Sequence, residues 1–343
     1  MESAIPHHLQ TRRTRQTRLP QDYRPPYPSF VARFTPGVKR VAMAYFGVQY
    51  RGEAPDEATS SLDQMNQALS TEHGPGHWDR AIHIDEAGYT NVVTIAYWDG
   101  ADVFDAWFTL QGGSWTGDDR GHDGVGYFTE VLRPRVEHFE TLFSADNRAE
   151  GIAVLAEGMS DMVQEHAYWG GARDRIPRSQ TDVMAPAGSP RVVTEEARRR
   201  VIPHQNLCLI RSGQDWSGTG AEERRMYLQD VEPVLRKGMD FLRDDGLSIG
   251  CFANRYMRVM DAEGEITDKS FGMSLWTSLT ALESWAESHP THVAIFAAAM
   301  RHLSTLGPAA QLKLYHEVTV ATADEQFFEY LNCHDSTGML RAR

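Results

Sequence analysis

VEHFETLFSA (residues 136–145) and LKLYHEVTVA (residues 312–321) both alternate apolar and polar side chains, the period of a half-buried strand, and aligned end to end they set Glu140 opposite His316. Working outward, the first stretch closes a series of strand Val41 to Gln49, helix Ser60 to Ser70, strand Asn91 to Trp98, helix Ala101 to Leu110 and strand His138 to Phe143. β-branched and aromatic residues bounded by Gly and Asp mark the strands. The second stretch closes a similar series with one strand added: strand Asn206 to Ser212, helix Ala221 to Arg243, strands Ser248 to Val259 and Lys269 to Trp276, helix Leu279 to Glu287, strand Gln311 to Ala321. Trp98 and Trp107 stand nine apart, as do Trp276 and Trp285 in the matching passage, so the two series are a repeat.

The repeat predicts an α+β fold of two ferredoxin-like halves, residues 41–200 and 201–343. Packed sheet to sheet, they form a dimeric-α/β-barrel-like sheet pair whose inter-sheet space can hold a large ligand. A further helix, Pro290 to Leu306, occurs before the last strand of the second half alone, which points to that half as the one with the special site.

Across all 343 residues, 47 acidic against 34 basic side chains give a net charge of −13. That balance repels phosphate backbones and anionic lipid, so nucleic acid and membrane are not the expected partners. No run approaches the ~20 apolar residues of a membrane helix. Three scattered cysteines, Cys208, Cys251 and Cys333, suit neither a disulfide framework nor a Cys-rich zinc site and fit a reducing cytoplasm. Residues 1–40 read as an extended arm, basic through Arg12, Arg13, Arg15, Arg18 and Arg24 and kept open by Pro20, Pro25, Pro26 and Pro28.

Ser288 and Pro290 signal a helix start, and His292 in its first turn precedes the apolar Val293, Ile295, Phe296, Ala299 and Met300. An imidazole on an apolar helix face, without a Cys-x-x-Cys-His attachment motif, suits a non-covalent haem; it equally suits a hydrogen-bonded core histidine. His316, flanked at i−2 and i+2 by Leu314 and Val318, faces inward on its strand. It is either structural or a general acid and base. Ser212 lacks a Gly-x-Ser-x-Gly elbow and reads as a ligand hydrogen-bond donor or a turn serine. Of Arg173 and Arg175, both ordinary surface candidates, one can turn inward to meet Glu140. Asp118, Asp119, His122 and Asp123 have metal-type side chains without a helical or strand register, and Cys333 and His334 are adjacent and point apart on a strand-like segment. Gly124-Val125-Gly126 is too short for a dinucleotide fingerprint.

Taken together, GVQYRGE (47–53), RPRVEHFETLF (133–143), RSQTD (178–182), LIRSGQDW (209–216), GMDFLRDDG (238–246), WAESHPTH (285–292), LYHEV (314–318) and CHDSTGMLR (333–341) run in order along nearly the whole chain. They resemble the aldoxime dehydratase family, haem-containing enzymes that form nitriles. The resemblance implies ferrous haem b in the second half with His292 as the axial ligand to iron. It implies an aldoxime substrate whose hydroxyl is held by Ser212, His316 as the distal acid and base, and Glu140 with Arg175 supporting His316. A homodimer is implied as well. Residues 183–204 look shorter than the family pattern and different from it. Other classes consistent with the scaffold are a haem peroxidase or monooxygenase and a non-enzymatic haem-binding sensor.

Overall fold

Residues 1–20, 22–121, 124–166 and 171–342 are described by the computed structural model. β1 (Ala42–Tyr50) is followed by α1 (Asp56–Leu69), β2 (His77–Ile84), β3 (Thr90–Trp98), α2 (Ala101–Leu110) and β4 (Gly126–Leu132). After β5 (Phe139–Phe143), the short helix α3 (Gly171–Arg175) and the hairpin β6 (Arg191–Glu195) and β7 (Arg198–Ile202), the pattern returns. β8 (Leu207–Asp215) leads into α4 (Ala221–Met226), a π turn at Tyr227–Val231 and α5 (Glu232–Asp244), then β9 (Cys251–Met260) and β10 (Ile266–Trp276). α6 (Leu279–Ser288), α7 (Pro290–Leu306), β11 (Lys313–Ala321) and β12 (Gln326–Leu331) complete it.

All twelve strands join one sheet in the order β5-β11-β8-β10-β9-β2-β3-β1-β4-β12-β7-β6. Within it, β4-β1-β3-β2 and β11-β8-β10-β9 have the same internal order, fourth-first-third-second, and meet through a short seam in which Arg258, Val259 and Met260 of β9 face Ile82, Ala81 and Arg80 of β2. The strand that seemed to be added in the second half therefore has a first-half counterpart, β2. It escapes a sequence reading because HWDRAIHI carries polar or charged residues at half of its positions and only Ala81 is buried.

The register also corrects the alignment that placed Glu140 opposite His316. Ala42 pairs with Trp98 and Cys208 with Trp276, which makes Phe46 the counterpart of Ser212. Phe46 pairs with Thr129 and Ser212 with His316, so the counterpart of His316 is Thr129, on β4. β5 is not the closing strand of the first repeat. It crosses to the other unit and pairs with β11, while β12 crosses the opposite way to pair with β4. The exchange buries the edge of each four-stranded unit with a strand from the other.

The inner faces of the two units pack on each other. Met43, Tyr45, Val93, Tyr97 and Phe128 from one meet Leu209, Met257, Phe271 and Met273 from the other. Arg211 reaches across to Asp79 at 2.7 Å and Tyr97 at 2.6 Å, and Arg255 grips Glu130 at 2.6 and 2.7 Å. The space expected to hold a large ligand is thus filled, because its inward positions carry aromatic rings and paired guanidinium groups. A ligand site must lie on the outer face, between a unit's sheet and its helices.

Candidate functional site

On the outer face of the first unit, Phe46 is fully buried against Trp107 at 5.5 Å and Trp115 at 6.4 Å, and Phe104 and Phe108 fill the rest. The corresponding positions of the second unit are Ser212 and, beside it on β10, Gly272. Outward-facing Ile210 and Ser212 are only half-buried, while inward-facing Leu209 and Arg211 are fully buried. Ser212 thus stands where the first unit has Phe46, and Gly272 where it has Thr94, with Met239 packed directly on Gly272.

α7 forms one wall of the region between that unit's sheet and its helices. Its N-cap His289 accepts from the Thr291 N–H and pairs through Nδ1 with Thr291 Oγ1 at 2.9 Å, its ring stacks on Phe241, and Trp285 Nε1 donates to Thr291 Oγ1 at 3.1 Å. The first turn is therefore bolted in place, and it presents His292. His292 Nδ1 lies 2.9 Å from the Ala286 carbonyl, which can only accept, so Nδ1 carries the proton and Nε2 of the neutral ring carries the lone pair. Trp285 backs the ring at 4.4 Å. Burial pushes His292 down to about 4, and the charge of His316 adds to the drop. A neutral ring oriented by a carbonyl, among Ile210, Met239, Leu282 and Ile295, is the donor set and apolar shell that haem iron requires. The residues present fit that group.

The opposite wall is the sheet. Ser212 and His316 are direct cross-strand partners on the same face. His316 Nε2 lies 3.0 Å from Glu140 Oε1 and 2.9 Å from Arg175 Nη2. Arg175 in turn holds Glu140 by two bonds, at 2.6 and 3.2 Å, and donates to the Glu165 carbonyl at 2.9 Å. Glu140 faces this pair because β5 has crossed to β11, where Glu140 registers with Val318 and Leu142 with His316. Burial raises the Glu140 carboxyl, but the charges of Arg175 and His316 outweigh it and hold it below the usual carboxylate range. When unprotonated, His316 Nε2 can accept from Arg175; when protonated, it can donate to Glu140. Nε2 thus has a partner in either tautomer, and a ring that keeps its Nε2 proton on Glu140 is held in place while Nδ1 exchanges a proton.

Arg175→Met should leave the Glu140 carboxyl buried without its cation. The expected cost is about 3–5 kcal/mol of stability, read as a lower melting temperature; an unshifted melt would show that the pair does not hold β5 in place.

The structure thus brings together His292, Ser212, His316, Arg175 and Glu140. Arg173 instead braces α6 through Glu283 at 2.7 Å. Cys208, Cys251 and Cys333 are free and buried, and His334 pairs with Asp85 at 2.8 Å on the first unit. His122 and Asp123 of the acidic loop lie outside the described residues, among which no cluster of metal-type side chains occurs. No helix among them is long and apolar enough to cross a membrane. Sequence reading missed His166, buried with Nδ1 at 2.8 Å from Ser29 Oγ and pushed down to about 4 by burial and by the charges of Arg175 and His316. Nothing in its local spacing marked it.

Known proteins resemble this chain in sequence and fold. The family model described as haem-containing dehydratase matches residues 44–339. The aliphatic aldoxime dehydratase of Pseudomonas chlororaphis is 43% identical over 99% of this chain and 98% of its own. The phenylacetaldoxime dehydratase of Bacillus sp. (strain OxB-1) is 34% identical over 94% of this chain and 93% of its own. A crystal structure of an aldoxime dehydratase in complex with butyraldoxime superposes with a TM-score of 0.95 at 42% identity, covering 100% of this chain and 96% of that one. With the family model matching residues 44–339 and these relatives matched along nearly its whole length, this chain belongs to the haem-containing dehydratase family.

Proposed function

We propose that this protein converts aldoximes, R-CH=N-OH, to nitriles, R-C≡N, with release of one water, and that ferrous haem b is held by His292. The observation that carries the reading is the Ser212 and His316 pair, direct cross-strand partners on one face of the sheet, with Arg175 and Glu140 bonded to His316. Haem supplies, when bound, an electron-rich iron that favours cleavage of the N–O bond. Ser212 Oγ holds the oxime hydroxyl and orients it toward His316. With Nε2 turned to Glu140 and Arg175, the proton that His316 gives to the departing oxygen is the one on Nδ1. Nδ1 then takes the proton of the C–H group, so one imidazole acts as acid and then as base, and no proton is gained or lost overall. The apolar shell around the site strengthens each of these polar contacts by excluding water.

The repeated fourth-first-third-second strand order supports two ferredoxin-like halves behind the arm of residues 1–40, with the second half, 201–343, holding the haem. We place the enzyme in the cytoplasm as a homodimer. The test is anaerobic incubation of dithionite-reduced holoenzyme with butyraldoxime and with phenylacetaldoxime. Nitrile from either, read by chromatography, is the expected result. Peroxide-driven dye oxidation with no nitrile would overturn it in favour of a peroxidase. Ser212→Ala should retain haem and raise the barrier to turnover by about 1–3 kcal/mol; unchanged kinetics would reduce Ser212 to a turn residue.

A further inference from the structure

The two edges of the twelve-stranded sheet differ. At the β5 edge, Phe30 N–H donates to the Phe143 carbonyl at 3.0 Å, Phe143 N–H returns a bond at 2.8 Å, and Ala32 N–H reaches Thr141 Oγ1 at 2.9 Å, so the N-terminal arm closes that edge. At the other edge, β6 pairs with β7 and with nothing beyond it among the described residues. Arg191, Val193, Thr194 and Glu195 are exposed, Val193 at 39%. β6 itself contains no proline and its register with β7 runs without a bulge, and its two charges, Arg191 and Glu195, are of opposite sign.

We propose that β6 pairs antiparallel with β6 of a second copy of this chain, centred on Val193, so that two sheets join across a twofold axis. Antiparallel partners lie on the same face of a sheet, so the register must match outward residues with outward residues. Val192 packs toward the core, which places Arg191, Val193 and Glu195 on the other face. Self-pairings that respect the faces are centred on residue 192, 193 or 194. Centring on 193 is the one that sets Arg191 of each copy opposite Glu195 of the other, with Val193 on Val193 at the axis. The strand RVVTE is therefore complementary to itself in charge, as an isologous contact requires.

Its neighbours do not compete for these charges. Among the described residues, neither Arg191 nor Glu195 has an ion pair within the chain. Arg200 beside Val193 is committed to Glu329 at 2.6 Å, and Arg198 beside Glu195 donates to the Thr116 carbonyl at 2.9 Å. Ile202, also 39% exposed, stands next to Arg191 and extends the apolar strip at the seam.

The inference supplies a surface for the homodimer proposed above and leaves the chemistry untouched. It is tested on the holoenzyme by sedimentation. Wild type should be a dimer. Arg191→Glu and Glu195→Arg, each facing like charges, should weaken association about tenfold or more, while the double variant, with the pairs exchanged, should return to near wild-type association. Val193→Pro should give monomers. Val193→Cys should form an intermolecular disulfide in the dimer, since the three native cysteines are buried. A monomeric wild type would overturn both this contact and the homodimer. A dimer indifferent to the charge variants and not cross-linked at residue 193 would overturn the β6 contact and leave the homodimer standing. Nitrile formation by the monomeric variant would leave the proposed reaction intact in either case.

Discussion

His292→Ala should purify without a Soret band. The side chain is held in one orientation by the Ala286 carbonyl at 2.9 Å and backed by Trp285, which leaves the lone pair of Nε2 as its donor for iron. Partners one step removed from a metal are commonly worth about 10–100-fold in affinity, so loss of the ligand itself should cost about a hundredfold or more. His292 is only half-buried and α7 is secured by His289, Thr291 and Trp285, so the fold should survive and far-UV circular dichroism should be unchanged. Exogenous imidazole should restore part of the band by filling the vacated position. Stoichiometric haem in the alanine variant would assign the iron to another residue.

His316→Ala, in contrast, should keep its haem and lose on the order of 10²–10⁴ in turnover. The ring is 26% exposed and is not part of the core, and the bonds between Arg175 and Glu140 do not depend on it, so the variant removes a proton carrier without loosening the scaffold. A loss confined to KM with an unchanged kcat would show that His316 merely shapes the pocket. An unimpaired variant would remove it from the chemistry altogether. Together the two substitutions separate holding the cofactor from using it.

Local patterns carried much of this. The apolar and β-branched runs at 42–50, 90–98, 207–215 and 266–276 are strands because both faces of each are covered, and such runs can be read from composition alone. The start of α7 was legible from Pro290, and with it the turn that carries His292, although the N-cap is His289 and Ser288 instead ends α6. The paired Trp98/Trp107 and Trp276/Trp285 marked a true repeat. β4, β12 and the β6–β7 hairpin were not legible. GYFTEVL and QFFEYL carry glutamates, Glu130 and Glu329, that become buriable only through Arg255 and Arg200, residues far away in sequence.

The sequence alone marked the candidate side chains and roughly which element bears each, since spacing along a helix or strand is a local property of the chain, while the family resemblance supplied the roles expected of them. Only the tertiary structure decided that Glu140 reaches His316. The sequence alignment put them at equivalent points of two repeats, yet they meet because β5 leaves its own unit and hydrogen-bonds to β11. The structure likewise decided that the space between the sheets is filled, since Arg211, Tyr97, Arg255 and Glu130 pair across it. Such outcomes depend on which strands exchange hydrogen bonds and which buried charges find partners, and those are long-range choices that no window of sequence contains.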